Sequence, residues 1–196
     1  MPDTGAPYFI PFADPTDLVR DWPALSEDVA EQVALGLDAA GNAGIGSNVV
    51  QTAKTDTFTT SSSSFTTVTG LTATITPTSD ASLVLVLFRV AGARTTGTNA
   101  AQVRLIRGAT PIAVGAAEGS RTPATGLVAQ SSASGFEVIS GGFLDNPGTD
   151  SPVTYSIEMR VSDGSGSVFV NRSQNNNDLA ANARMASTII LVEVAA

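Results

Sequence analysis

The sequence contains no cysteine and no histidine, and it has ten lysines and arginines against eighteen aspartates and glutamates. Without cysteine it forms no disulfide and has no thiolate nucleophile, and without histidine it lacks the commonest general base and the commonest metal ligand. We therefore expect no catalytic residue, no metal site and no cofactor. The net charge of −8, with basic residues scattered singly, also argues against nucleic-acid binding, which needs a clustered basic face.

Long apolar runs are also missing, since none reaches the roughly 20 residues that span a bilayer. We therefore expect no membrane insertion, and the acidic charge argues against binding to an anionic membrane surface. The first residues, 1–5, lack the basic stretch and the apolar run of a signal peptide. We expect synthesis in the cytoplasm of the producing cell and, if the protein acts outside, release by a route that needs no signal peptide.

Residues 1–46 form a segment that needs a partner surface. Residues 7–15 place aromatic side chains between prolines, which favours an extended strip without its own hydrogen-bond ladder. A helix is predicted over 21–40, with Asp21 as its cap and an apolar stripe repeating every four residues. Because so short a helix is marginal alone, three copies packed together is the simplest arrangement. The residues expected in this docking and oligomer interface are Phe9, Phe12, Leu18, Trp22, Leu25, Val29, Val33 and Leu37.

Past the Gly-rich stretch 41–46, residues 47–196 have the pattern of one β-domain. β-branched residues with a period of two begin near Val49, and 82–90 is a continuous apolar run, typical of a strand buried on both faces. The predicted fold class is mainly β, an antiparallel β-sandwich or jelly roll of about ten strands. The predicted strands are 49–60, 66–76, 82–90, 101–107, 111–115, 127–131, 135–144, 153–162, 167–171 and 187–195.

The connections between these strands alternate between long and short. If each strand crosses the domain once, the long connections lie together at one end, distal to the N-terminal segment. Binding residues usually lie on such loops, although loops also accept insertions without function at little entropic cost. The candidate binding residues on these loops are Arg94, Thr96, Asn99, Arg121, Asn146, Arg172, Gln174, Asn175, Asn176 and Asn177.

Several patterns have two interpretations. Residues 171–173 match a glycosylation sequon, but a turn at a strand end is favoured. Aspartates in the loops between 145 and 163 lack the spacing of a known Ca²⁺ site, so turn formation is favoured. Glu137 and Glu158 form a glycosidase pair only if their carboxyl groups meet about 5 to 9 Å apart in a cleft, and a solvated sheet face or a subunit contact is favoured. The tract 174–178 is a polar loop by default, and its amides are alternatively donors to sugar hydroxyls.

Three stretches resemble proteins of tailed bacteriophages. Residues 11–22, which run into an Ala-rich helix, resemble the virion-attachment end of minor tail and fibre proteins. Residues 54–77 are similar to the start of the C-terminal β-domains of those proteins, and residues 187–194 are similar to their final strand. The resemblance implies a homotrimeric fibre or spike that is anchored to other virion proteins by its N-terminus and presents β-domains to the host surface. Because the chain has no repetitive shaft, it would be a short projection.

We therefore expect a structural protein of a bacteriophage virion. Three β-domains, each binding weakly, would engage a repetitive host-surface polysaccharide together and gain avidity. Two alternatives stay open: an architectural decoration or baseplate protein without receptor activity, and a polysaccharide depolymerase. Binding of the purified protein to host cells separates receptor binding from architecture, and the lack of a conspicuous acid and base pair argues against the depolymerase.

Overall fold

A computed structural model describes residues 30–33, 45–96, 100–129, 132–162, 164–180 and 182–195, with residues 45–47 described by their backbone alone. Residues 30–33 are helical, and the Val33 side chain is 46% exposed. The rest of the predicted helix 21–40 and the strip 7–15 lie outside the described residues. The extended segment, the full helix and the domain boundary at 46 therefore stay predictions.

The described residues contain eleven β-strands, which confirms the predicted mainly β fold. Wherever the pairing register is described, neighbouring strands are antiparallel. The strands are β1 (Ile45–Lys54), β2 (Phe58–Thr60), β3 (Thr66–Ile75), β4 (Leu83–Arg94), β5 (Ala101–Arg107), β6 (Thr110–Ile112), β7 (Gly126–Val128), β8 (Glu137–Asp145), β9 (Val153–Val161), β10 (Val168–Val170) and β11 (Ser187–Val194).

The strands form two sheets whose inner sides enclose one core. Sheet A has the order β1-β11-β4-β10-β2. β10 and β11 both pair with one edge of β4, and β8 pairs with its other edge. Sheet B has the order β3-β9-β5-β6, with β7 also paired to β5. Buried side chains recur at every second residue, as expected for strands with one face in a core. In β4 these are Val84, Val86, Phe88 and Val90, and in β9 they are Val153, Tyr155, Ile157, Met159 and Val161.

Two glycines allow the sheets to approach closely where β7 of sheet B meets sheet A. A Cβ atom on Gly92 of β4 would lie 2.7 Å from Cγ2 of Val128, and one on Gly126 of β7 would lie 2.8 Å from Cγ2 of Ile139 in β8. Both distances are shorter than real side chains tolerate. Glycine is therefore required at these positions, because any larger residue would push β7 away from β4 and β8.

The prediction that all long connections share one end of the domain is wrong. β6 and β7 lie end to end along β5, so these two short strands cross the domain only once between them. We name the two ends of the domain the Leu83 end and the Arg94 end, after the ends of β4. The connection 146–152 follows Asp145, which pairs with Val84, and therefore lies at the Leu83 end, whereas the connection 95–100 lies at the Arg94 end.

β10 and β11 likewise lie end to end, because both pair with the same side of β4. The connection 171–186 leaves the sheet between them. Asn171 fixes this junction: it is fully buried, has a φ of 61°, and its side-chain amide donates to the carbonyl oxygens of Lys54 and Asp56 at 2.8 and 2.9 Å. Its Oδ1 accepts from the Ser187 hydroxyl at 2.7 Å. The buried amide supports the interpretation of residues 171–173 as a strand-end turn.

The burial of β4 differs from the sequence prediction. Its inner face is buried, but Leu87 on the outer face is 39% exposed. The apolar run 82–90 therefore has two faces with different roles: one packs in the core of this chain, and the other presents apolar side chains on the outside of sheet A.

Candidate functional site

The connection 171–186 folds into a small polar pocket beside sheet A. The pocket has a volume of about 230 Å³, which is below the roughly 300–1,000 Å³ of typical small-molecule sites. It is lined by Arg172, Ser173, Asn175, Asn176, Asn177, Asp178, Leu179, Asn182, Ala183 and Arg184.

Hydrogen bonds from the loop itself hold the pocket in shape. The buried Ser173 hydroxyl donates to the Asn175 carbonyl at 2.6 Å, and the Asn182 amide donates to the Asn177 carbonyl at 3.0 Å. The Asn175 backbone N–H donates to the Ala133 carbonyl at 2.8 Å, which ties the loop to the connection between β7 and β8. Among the described residues, the side-chain amides of Asn176 and Asn177 make no hydrogen bond, so both are available to a ligand.

Two arginines line the pocket. Arg172 and Arg184 face each other in an isolated antiparallel bridge, so their side chains leave the backbone on the same side. The Arg172 guanidinium lies over the Phe169 ring, 4.2 Å from its centroid. Burial, and then repulsion from Arg184, lower the pKa of Arg172 below its ordinary value. The pocket is therefore a basic spot on an acidic protein.

Other predicted binding residues at the Arg94 end support the loops. The Thr96 backbone N–H donates to Oε1 of Gln174 at 2.6 Å, so this glutamine joins the connection 95–100 to the pocket loop. Arg94 donates to the carbonyl oxygens of Thr95 and Ala129. Arg94, Thr96 and Gln174 therefore lie together next to the pocket, with polar groups engaged inside the protein. Asn99 lies outside the described residues.

Two predicted binding residues lie elsewhere. Arg121, in the connection between β6 and β7, forms an exposed ion pair with Glu118 at 2.6 Å. Asn146 lies at the Leu83 end, where its carbonyl oxygen accepts from Arg107 at 2.8 Å. Asn146 is therefore not part of a shared surface with the Arg94 end, because the connection that carries it leaves the opposite end of the sandwich.

The N-terminal interface predicted from sequence has one described member, Val33. The others lie outside the described residues: Phe9, Phe12, Leu18, Trp22, Leu25, Val29 and Leu37. The docking role of this segment stays a prediction.

The two glutamates weighed as a glycosidase pair are separated. Glu137 begins β8 in sheet A and accepts the Ala129 N–H at 2.6 Å, whereas Glu158 in sheet B pairs with Arg104 at 2.8 Å. Each carboxylate thus has its own partner, and they do not face one cleft. In the part of the chain that the structure describes, no group of three or more Asp or Glu residues is placed to hold a metal ion.

Sequence reasoning missed five residues that line the pocket: Ser173, Leu179, Asn182, Ala183 and Arg184. A weak signal was present, because arginines flank an asparagine-rich tract on both sides. The pairing of Arg172 with Arg184 across this tract depends on how the loop folds, and the residue pattern alone does not give it.

Comparisons with known proteins add no relative. A scan against models of protein families finds no match, and a search of curated proteins finds no similar sequence. Within the described residues, no helix has the length and apolar character needed to cross a membrane.

Proposed function

We propose that this chain is a structural protein of a bacteriophage virion: a short homotrimeric projection, attached through residues 1–46, whose β-domain binds a host-surface polysaccharide. The observation that carries the proposal is the contrast between the outer faces of the two sheets. The virion setting is supported by the resemblance of residues 11–22 and 54–77 to phage minor tail and fibre proteins.

The outer face of sheet A is apolar. Its side chains form rows across three paired strands, and one row contains Leu144, Leu85 and Val192. Leu87 and Ile190 lie in the next row. The side chains of Leu144 and Leu87, one from each row, are 50% and 39% exposed. We define the outer face of sheet A by its apolar members between the Leu83 end and Arg89, which are Leu83, Leu85, Leu87, Leu144, Ile190, Val192 and Val194.

The outer face of sheet B is mostly polar, with Leu127 as an exposed apolar exception, and its polar groups are paired with one another. Arg104 forms an ion pair with Glu158 at 2.8 Å, and the Thr74 and Thr154 hydroxyls are 2.8 Å apart. Arg160 donates to Gln102 at 2.6 Å. A face with satisfied polar groups is stable in water, whereas a contiguous apolar face on a soluble protein marks an interaction surface.

The charges favour a second copy of this chain as the partner of the outer face of sheet A. In the described parts of β4, β8 and β11, Arg89 is the one charged side chain on the outer side, and it donates to the Ala186 carbonyl. Elsewhere the net charge of −8 opposes the approach of two copies, but this face carries no carboxylate to repel its counterpart. The edge strand β8 is also uncharged from Val138 to Leu144, so its edge does not repel a neighbouring copy.

The size of the outer face of sheet A explains why the N-terminal segment is needed as well. With strands about 4.8 Å apart and residues about 3.4 Å apart along each strand, the face covers roughly 300–400 Å². A stable interface buries about 800 Å² on each partner. The trimer therefore requires additional contacts, and the predicted helix 21–40 is the expected source.

The pocket favours receptor binding over a purely architectural role. A decoration protein needs only surfaces for other virion proteins, whereas a polar pocket with free amides suits hydroxyl groups. One such pocket holds a sugar weakly, but three on one trimer engage a repetitive polymer together and gain avidity.

Competition for adsorption tests the proposed function. The purified full chain is added to host cells before the phage, and we expect it to bind the cells and to reduce phage adsorption. Exchange of both free amides, Asn176→Ala with Asn177→Ala, should abolish competition, whereas Asn146→Ala at the Leu83 end serves as the matched control. Protein that binds phage particles but not cells would support the architectural alternative and refute receptor binding.

A further inference from the structure

We infer that the pocket of the loop 171–186 binds a saccharide that carries a carboxylate, held between the guanidinium groups of Arg172 and Arg184, with its hydroxyls on the amides of Asn176 and Asn177. The inference rests on the proposed function for the saccharide setting. It adds the chemical class of the sugar, an acidic one, and the residues that select it.

The pocket holds two like charges that face each other. Arg172 and Arg184 are directly opposite each other in an antiparallel bridge, where side chains lie about 4.5–5.5 Å apart at Cβ. Like charges in this position destabilise the pair. An anion placed between the two guanidinium groups offsets that repulsion. The two positive charges are therefore balanced only when such a ligand is bound.

Neither pocket arginine is neutralised by another residue that the structure describes. Among the described residues, no carboxylate lies within 4.0 Å of Arg172 or Arg184, and neither side chain donates a hydrogen bond. Arg104 and Arg107, which support the sheets, each pair with a carboxylate. The two pocket arginines therefore keep donors whose geometry matches a carboxylate, for which arginine is the best partner.

Arg172 is held in place before any ligand arrives. Its guanidinium stacks on Phe169, which is 7% exposed and belongs to β10 of sheet A. Partial burial lowers the pKa of Arg172, which reflects the cost of keeping this charge away from water. A stacked guanidinium loses little freedom on binding, so the anion gains more from it than from a mobile surface arginine.

Asp178 limits what the pocket accepts. Its carboxylate lines the same pocket and repels a second negative group, while it accepts a hydrogen bond from a neutral hydroxyl. With a volume of about 230 Å³, the pocket suits one sugar ring with a single carboxylate. Densely charged polymers such as sulfated glycans fit this arrangement poorly.

The test is an NMR titration of the full chain with small acidic sugars and their methyl esters, which keep the ring and remove the charge. The probes are the methyl glycosides of glucuronic acid, galacturonic acid and N-acetylneuraminic acid. We expect at least one acid to shift backbone amide signals of 172–184 and to bind at least about tenfold more tightly than its ester. The variants Arg172→Gln and Arg184→Gln should each weaken that acid at least about tenfold.

Controls separate charge from folding. Arg121→Gln removes one exposed positive charge from a different loop and should change nothing, whereas Arg172→Lys and Arg184→Lys keep the charge and should retain part of the binding. Melting temperatures at or above that of the wild type confirm that the variants fold, since loss of one of the two facing charges removes repulsion. Equal binding of acids and esters, no shift in the loop with any acid, or binding unaffected by the glutamine variants would each overturn the inference.

Failure of this inference and failure of the proposed function give different results. If the full chain competes with phage for host cells while no acidic sugar binds the loop, the receptor role stands and the acidic class is wrong. If an acidic sugar binds the loop through both arginines but the full chain neither binds host cells nor competes for adsorption, the pocket is assigned correctly and the adsorption role is wrong.

Discussion

Glu193 provides a sharp test of how the Leu83 end is held together. This glutamate in β11 is fully buried. Its carboxylate accepts the backbone N–H and the hydroxyl of Thr78 at 2.7 and 2.6 Å, and the Asn48 amide at 3.1 Å. It thus joins β1, β11 and the turn before β4. Although burial alone raises the pKa of a carboxyl group, these hydrogen bonds outweigh it and lower the pKa of Glu193 below its ordinary 4.5.

We predict that Glu193→Gln lowers the free energy of unfolding by about 2–4 kcal/mol. The amide has the same shape, but its two bonds from Thr78 become neutral, which costs about 1 kcal/mol each. Its NH₂ group also faces the NH₂ group of Asn48, which leaves a buried donor unpaired at a cost of about 1–3 kcal/mol. Part of this loss is offset, because the variant no longer has to bury a charge. For a domain of this size, the melting temperature should fall by about 5–15 °C.

The pH dependence of this effect has a defined sign. Because the folded-state pKa of Glu193 is lowered, its contribution is complete above pH 4.5 and is lost as the pH falls through that lower value. Melting curves by circular dichroism, at one protein concentration, should show a gap between wild type and Glu193→Gln that narrows below pH 4.5. Glu118→Gln is the control, because Glu118 is 77% exposed and its ion pair contributes little. A variant that melts within about 2 °C of wild type at pH 7, or a gap independent of pH, would refute this reasoning.

Two further substitutions test the fold. Gly126→Ala places a Cβ 2.8 Å from Ile139, so urea denaturation should show a loss of about 1–3 kcal/mol in the free energy of unfolding. Gly115→Ala is the control, because its Cβ would meet no atom within 4 Å and stability should change little. Equal stabilities of the two variants would contradict the close approach of β7 and β8. Asn171→Ala removes three side-chain hydrogen bonds and places alanine at a φ of 61°, so it should lower the free energy of unfolding by at least about 3 kcal/mol. Asn171→Gly should recover about 1 kcal/mol of this loss by relieving backbone strain. An alanine variant as stable as wild type would contradict the role of Asn171 at the junction.

Local patterns predicted most of the fold. β4, β9 and β11 were found because a period of two in apolar and β-branched residues depends only on one buried face. The sequence also predicted strands at β6, β7 and β10, but the prediction that each crosses the whole domain is wrong, because strands of three residues take their length and place from the neighbour they pair with. That error changed the count of crossings and moved Asn146 to the wrong end of the domain.

The candidate site was predicted in part. The asparagine tract was visible because its composition suits a polar loop, and Arg172 was near it. Arg184 was missed because its bridge to Arg172 closes across the intervening loop, 173–183, and no local pattern encodes such closure. The outer face of sheet A was also misjudged, because an apolar run does not tell whether its second face packs inside the chain or against another copy.

The mass of the full chain in solution tests the central claim most directly. Three chains of 19.9 kDa give about 60 kDa by light scattering on a size-exclusion column at micromolar concentration, and this is the predicted result. The double variant Leu87→Lys with Leu144→Lys adds charge to the outer face of sheet A and should shift the mass towards about 20 kDa while the β-sheet circular dichroism stays unchanged. A monomeric wild type, or a trimer that the double variant leaves intact, would contradict assembly through this face.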